Sequence, residues 1–446
     1  MDSHMNVINR RGFLVRSGLA LSAALLTPDV FPPARDSVLA KATSLLDWQG
    51  VRDQFPLSPD LIHLAGFFLA SHPTPVREAI ERHRAGLDAN PIDYWITNEK
   101  KQEAVVLRAA AEYLGVAPTE IALTDSTTMG LGLLYGGLRL NRDQEILTTT
   151  HDHYSTETSL RLRAERTGAT VRRIPLYADL RRVSRESLVE KLAKEVRPQT
   201  RVVAVTWVHS STGLKLPIGE MARAIQALNA SRGEEDRVIF CVDGVHALGV
   251  EDFRLADVGC DFLVAGTHKW MFGPRGTGLV WGHPRAWPMA NAVIPTFDSD
   301  AYDMWMKIIP PRPLPPAVHM TPGGFHSFEH RWALDQAFIF HQALGKSRVT
   351  RRIRDLNDQL KEGLAAMPRI TLHTPMSPDL SAGIVCFEAE EMAPDRVVAE
   401  LRRRGIVASV TPYATQYVRL APGLLNSPAE IETVLKEIRS LTGNPS

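Results

Sequence analysis

Asp243 and Lys269 stand 26 positions apart, and each follows a strand-like apolar run. Asp243 closes Val238-Ile239-Phe240-Cys241-Val242, and Lys269 comes soon after Phe262-Leu263-Val264. A lysine amine can form a Schiff base with a carbonyl, and a carboxylate can hold a heterocyclic nitrogen protonated. Taken singly, each residue has a plain reading, the aspartate as a helix cap and the lysine as a solvated charge. Taken together they are more telling. Thr267 and His268 directly precede the lysine, His246 lies three residues past the aspartate, and the glycine-rich Phe272-Gly273-Pro274-Arg275-Gly276-Thr277-Gly278 follows. This set suits pyridoxal phosphate, whose protonated ring takes up charge from a substrate carbon.

Two further segments belong to the same chemistry. Thr124-Asp125-Ser126-Thr127-Thr128-Met129-Gly130 follows a short strand pattern and opens a helical one. Hydroxyls and amides at a helix N-terminus can hold a phosphate. Thr150-His151-Asp152-His153-Tyr154 follows another apolar run. Its His-x-His pattern invites a zinc reading, but no third ligand follows at the usual spacing, so no metal site is expected.

These residues need a frame that brings strand ends together. Helical patterns cover Pro75 to Leu87, Glu99 to Tyr113 and Gly219 to Asn229, alternating with apolar runs at 120–123, 145–147, 202–205 and 238–242. Such alternation predicts βαβ units and a mainly parallel sheet, with ligands at the carboxyl ends of its strands. Beyond the Pro-rich stretch Pro310 to Pro316, a basic amphipathic helix (346–364), a strand (384–387) and a closing helix (428–441) predict a smaller α+β domain. The expected organisation is a leader over 1–40, a site-lining segment over 41–74, and a large domain over 75–300. A connecting loop over 301–333 and a small domain over 334–446 complete it.

Length and composition fit an enzyme-sized globular protein. The chain has 446 residues, 44% of them hydrophobic, with 51 Lys and Arg against 50 Asp and Glu. Near-neutral charge argues against nucleic acid as the main partner. Three cysteines exclude a disulfide framework. Near the start, Asn9-Arg10-Arg11-Gly12-Phe13-Leu14-Val15 precedes an apolar stretch from Gly18 to Leu26, too short to span a bilayer. This resembles a twin-arginine export signal and predicts a periplasmic or secreted protein without stable membrane insertion.

From about Ile62 to Leu441 the chain resembles the class V aminotransferase family of fold-type I pyridoxal-phosphate enzymes, close to its isopenicillin N epimerase-like branch. The resemblance implies an α/β fold with a mainly parallel seven-stranded sheet, a smaller C-terminal domain, and a homodimer. It implies that Lys269 carries the cofactor, Asp243 pairs with the pyridine nitrogen, and His246 lies near the phenolic oxygen. Ser126, Thr127, Thr128, Thr267 and His268 would hold the phosphate, with Thr277 reaching one across the dimer interface. His153 would stack on the ring, with His151 as the alternative, and Ser210 would lie near the cofactor oxygen. Val418-Arg419-Leu420-Ala421-Pro422 with Asn426 is similar to the segment whose arginine grips the substrate carboxylate, although Ala421 stands where serine is common. A planar guanidinium suits that bidentate task. Phe67 and Phe68 give the entrance a more apolar character than the family's usual Asn-rich strip.

The reaction stays open among transamination, epimerisation, and lyase or oxidative deamination and decarboxylation chemistry. Persulfide chemistry is disfavoured, because no cysteine follows Cys386 and that residue lies in an apolar strand pattern. An exported enzyme tailoring an amino acid or a peptide-derived secondary metabolite is the reading preferred here. A non-catalytic binding relic is the remote alternative.

Overall fold

The computed structural model describes residue 45 and residues 47–443, so the export signal expected over 1–40 lies outside the described residues. The described residues belong to one compact unit.

A short strand, β1 (Ile62–His63), precedes the large sheet, whose strands are β2 (Ile121–Thr124), β3 (Glu145–Thr149), β4 (Thr170–Ile174), β5 (Thr200–Thr206), β6 (Ile239–Asp243), β7 (Phe262–Gly266) and β8 (Gly278–Gly282). Their order across the sheet is β2-β8-β7-β6-β5-β3-β4. Pairs β3–β4, β3–β5, β5–β6 and β6–β7 are parallel, while β8 runs antiparallel to both neighbours. The seven-stranded, mainly parallel expectation therefore holds. Every residue of β2, β3 and β5 through β8 is buried, as strands covered on both faces require.

Helices α1 (Thr74–Ala89) and α2 (Pro91–Leu114) precede β2; α3 (Thr127–Gly137), α4 (Tyr154–Thr167), α5 (Arg185–Glu195) and α6 (Ile218–Asn229) connect the strands. Helix α2 begins eight residues before the sequence pattern predicts. The cause is local: Asn90 caps it through the Asp93 amide, and Pro91 occupies its first turn, where a missing N–H costs nothing.

The C-terminal part contains α7 (Leu334–Leu344), α8 (Lys346–Ala365), β9 (Ile370–Leu372), β10 (Val385–Ala389), α9 (Pro394–Arg403), β11 (Ile406–Val407), β12 (Ser409–Val410), β13 (Val418–Leu420) and α10 (Pro428–Leu441). Its four-stranded sheet has the order β12-β13-β10-β9 and a core of its own, in which Leu356, Leu360, Phe387, Leu401, Val434 and Ile438 meet. Ser427 and Glu430 form a capping box at the start of α10. Strand β1 pairs with β11 in a separate two-stranded sheet, tying the segment before α1 to the C-terminal part. Among the described residues no helix is long and apolar enough to cross a membrane.

Candidate active site

One edge of the large sheet collects the carboxyl ends of β2, β3, β5, β6 and β7, and the loops that carry Ser126, His153, Ser210, His246 and Lys269 leave from it. Asp243 is the last residue of β6, and Lys269 stands three residues past the end of β7. The Asp243 side chain is buried, and its Oδ1 accepts the Val245 amide at 3.1 Å. Burial pushes its carboxyl up to about 6, opposed by that hydrogen bond and by the Lys269 charge. Burial also brings the Lys269 amine down to about 8, with Asp243 opposing and Arg419 assisting. Near neutral pH the pair thus offers a charged carboxylate and an amine with an appreciable neutral fraction.

His246 is buried and accepts from Trp270 Nε1 at 3.2 Å through Nδ1. That bond assigns its proton to Nε2, which is left as a donor. Burial first, then the Lys269 and Arg419 charges, hold this imidazole well below its ordinary value, so it is neutral.

The residues expected to hold a phosphate lie at the start of α3 and just past the end of β7. Ser126 caps α3 by accepting the Met129 amide, and Thr127 Oγ1 accepts the Gly266 amide at 2.7 Å. The first amides of α3 have no carbonyl within the helix to reach. The His268 ring lies against them: a Cβ at Gly266 would come within 3.0 Å of His268 Cε1 and within 2.9 Å of Thr127 Oγ1. Thr128 is exposed at the same helix end. Thr267 and Thr277 are buried, and their hydroxyls meet at 2.5 Å. The Thr277 hydroxyl also donates to Pro274 O, so its partners lie within its own chain.

The two histidines of the His-x-His segment separate cleanly. The His151 ring stacks on Tyr177 at 3.9 Å, and its Nε2 accepts the Leu176 amide at 3.2 Å. His153 caps α4, and its ordinary value is lowered by burial and by the Lys269 and Arg419 charges. The structure therefore brings His153, and not His151, into the field of Lys269. Asp152 between them fixes this divergence: it accepts from Thr148, Thr149 and the Thr206 amide, lashing the ends of β3 and β5 together. Replacing His153 with alanine is expected to weaken cofactor retention by about 1 kcal/mol, roughly fivefold, the worth of a ring contact. His151→Ala should instead cost about 1–3 kcal/mol of stability by leaving the Leu176 amide unpaired. Cofactor titration and thermal unfolding of both variants would separate the two roles; equal cofactor loss in both would refute the assignment.

Arg419, on β13, is buried. Its Nε donates to Ser409 Oγ, Nη1 to Ser210 O at 3.0 Å, and Nη2 to Val410 O at 3.5 Å. None of these partners is a carboxylate, and no ion pair to Arg419 occurs among the described residues. The Phe67 ring lies beneath the guanidinium, with Cζ 4.4 Å from its centroid, and 5.9 Å from the His246 ring. Ser210 also shares a 2.8 Å hydrogen bond with Tyr413 Oη, whose ring edge meets His153 at 6.2 Å. Asn426 lines the cavity beside Lys269, yet its amide is used internally: Nδ2 donates to His63 O and Glu430, and Oδ1 accepts the Gly423 amide. These bonds make it a fastener of the loop that follows β13.

Tyr413 and Trp270 carry no sequence signal of their own, whereas Arg331 ends the polar-rich run Phe325 to Arg331, whose composition suggests a site lining. Arg331 is buried and pairs with Asp125 at 3.0 Å and Glu103 at 3.5 Å, bracing the phosphate loop from the 301–333 segment. His330 Nδ1 lies 2.8 Å from Arg275 O, so the same short helix holds the turn that follows Lys269. Among the described residues no group of three or more His, Cys, Asp or Glu could hold a metal ion.

The residues present fit pyridoxal phosphate. Two buried polar atoms at this sheet edge, His268 Nδ1 and Thr206 Oγ1, have no partner within the protein. Such orphaned atoms at a ligand-facing sheet edge, together with the free amides at the start of α3, are groups that a bound polar ligand would satisfy.

Fold and site together place the chain among the fold-type I enzymes that use pyridoxal phosphate. More narrowly, it belongs to the family Aminotransferase class-V, which it matches over residues 73–415. It is 28% identical over 423 residues to isopenicillin N epimerase of Streptomyces clavuligerus, covering 90% of this chain and 100% of the relative. It is 22% identical over 439 residues to a probable cysteine desulfurase of Streptomyces coelicolor, covering 91% of this chain and 100% of that one. Among solved structures it resembles the cystine C–S lyase C-DES in complex with its reaction product cysteine persulfide. That match has a TM-score of 0.77 at 22% identity, covering 86% of this chain and 99% of the other.

Proposed function

We propose that this enzyme breaks a bond at the α-carbon of an amino acid, or of an amino-acid unit in a peptide-derived metabolite. Removal of the α-proton comes first, and the outcome is epimerase- or transaminase-like. One observation carries the reading: a buried guanidinium with no carboxylate partner, Arg419, shares its electrostatic field with the half-buried amine of Lys269. When bound, pyridoxal phosphate supplies a carbonyl for covalent attachment and a sink for charge left at the α-carbon. Arg419 holds the substrate carboxylate, with its plane fixed by Ser409 and the Ser210 carbonyl. Lys269 takes the α-proton, which an amine near pKa 8 can do close to neutral pH. Asp243 supplies the negative charge that keeps the cofactor ring cationic.

Similarity to isopenicillin N epimerase supports the epimerase-like outcome. The desulfurase relatives and the likeness to C-DES favour a second reading, lyase cleavage within the substrate side chain. Persulfide transfer finds no support in the chain's own thiols. Cys241, Cys260 and Cys386 are all buried, and burial pushes the Cys386 thiol up to about 12. Incubating the holoenzyme with candidate amino acids and peptides in D2O should place deuterium at the α-carbon. Release of CO2 without α-exchange would overturn proton removal as the first step.

The reading extends to a homodimer exported by the twin-arginine route. Exposed Trp305 and Phe325 support the dimer, since large aromatic side chains open to water commonly mark interfaces. The paired arginines before a short apolar run support export. Sedimentation as a monomer, or cytoplasmic retention of a reporter fused to residues 1–40, would count against these extensions.

A further inference from the structure

A cavity of about 220 Å³ opens beside Lys269, and its lining reports what kind of side chain the site accepts. Leu57, Phe68 and Leu69 line it from the segment before α1, Phe272 from the turn after Lys269, and Val407 and Leu425 from the C-terminal part. The rim is apolar too: Phe68 and Leu69 are 68% and 51% exposed. No Asp, Glu or Arg lines the cavity, and its one charged residue is Lys269 itself. The amide of Asn426 is already spent on backbone and on Glu430. Two small polar groups remain, the Ser71 hydroxyl and His63 Nε2; the latter is buried without a partner, and burial and nearby arginines keep that imidazole below its ordinary value.

The space depends on small residues. Ala65, Gly66, Ala421 and Gly423 all line it, and a Cβ built on Gly66 meets nothing within 4 Å. Phe67 connects the cavity to the carboxylate site, because its ring lies under the Arg419 guanidinium while the residue also contributes to the cavity lining. A substrate held at Arg419 and at Lys269 can therefore direct its side chain past Phe67 into this space.

We propose that the substrate is an α-amino acid, free or at an accessible position of a peptide, whose side chain is uncharged, predominantly apolar and at least leucine-sized. The inference rests on the amino-acid reading of the site. It adds the discriminating walls: an anionic side chain meets no countercharge there other than Lys269, which is engaged at the α-carbon, and a side chain the size of cysteine's leaves most of the apolar lining uncovered. Burying apolar carbon contributes about fourfold in affinity per methylene.

The test is titration of the holoenzyme with alanine, leucine, norleucine, cysteine and aspartate, followed by the visible absorbance of the bound cofactor. Leucine and norleucine should bind on the order of 50-fold tighter than alanine, and aspartate more weakly than either. Gly66→Leu, which places a side chain in open space, should bring leucine down towards alanine; the variant's own cofactor absorbance reports that it has folded. Alanine or aspartate binding as tightly as leucine would overturn the proposal, as would a Gly66→Leu variant that leaves leucine's advantage intact. A different failure, in which none of the amino acids perturbs the cofactor, would reject the amino-acid reading itself and the inference with it.

Discussion

Lys269→Ala is expected to abolish the visible absorbance of lysine-linked pyridoxal phosphate and to lower turnover by at least roughly 10⁴-fold. The side chain has two tasks, covalent attachment and proton removal, and alanine performs neither. Cofactor should still bind without the link, because Ser126, Thr127, His268 and the α3 amides are untouched by the change. The same amine sets a pH dependence in the wild-type protein. Its value lies near 8, below the ordinary lysine range, chiefly because burial disfavours the charged form. Only the neutral amine attacks a carbonyl. Covalent capture of pyridoxal phosphate by cofactor-free protein should therefore rise about tenfold per pH unit below 8 and level off above it. Stopped-flow absorbance across pH 6 to 10 would measure this. A rise continuing unbroken towards the ordinary lysine value would show that burial does not tune the amine as described. A Lys269→Ala protein that keeps both band and turnover would remove the mechanism altogether.

Much of this site is legible in sequence because its residues are fixed by local grammar. Asp243 and Lys269 announce themselves by following apolar runs, and a buried strand ending in a polar residue places that residue at a sheet edge whatever the rest of the chain does. Ser126 declares itself as a cap for the same local reason. What stays hidden depends on contacts between distant segments. Nothing local to Asn426 encodes that the fold sets its amide against His63 O, 363 residues away in sequence. Thr277 belongs to a glycine-rich turn that reads as ligand-binding, and only the antiparallel pairing of β7 and β8 sets its hydroxyl against Thr267. Arg331 ends a polar-rich run that suggests a site lining but names no partner, and Tyr413 carries no pattern at all. Their partners, Asp125 and Ser210, lie about 200 residues away, and no periodicity encodes such a pairing.

Asp243→Asn should produce the second large effect, and its value lies in two separable readouts. Asparagine keeps the shape and can still accept the Val245 amide, so the end of β6 should hold its form. What is lost is a buried negative charge. In a site screened from water such a charge acts strongly on its neighbours, and removing a preorganised electrostatic contact of this kind typically costs roughly 10²–10³-fold in turnover. The fall should appear in kcat while cofactor is still retained. The second readout concerns Lys269, whose value is raised by the Asp243 charge against the lowering effect of burial. With that support removed, the amine should titrate lower than in the wild type, so the pH midpoint for cofactor capture should move to more acidic values. A merely structural lesion would reduce the amount of competent protein without moving that midpoint. A midpoint shifted to higher pH, or wild-type kcat in Asp243→Asn, would show that the carboxylate does not act on the lysine and the cofactor ring.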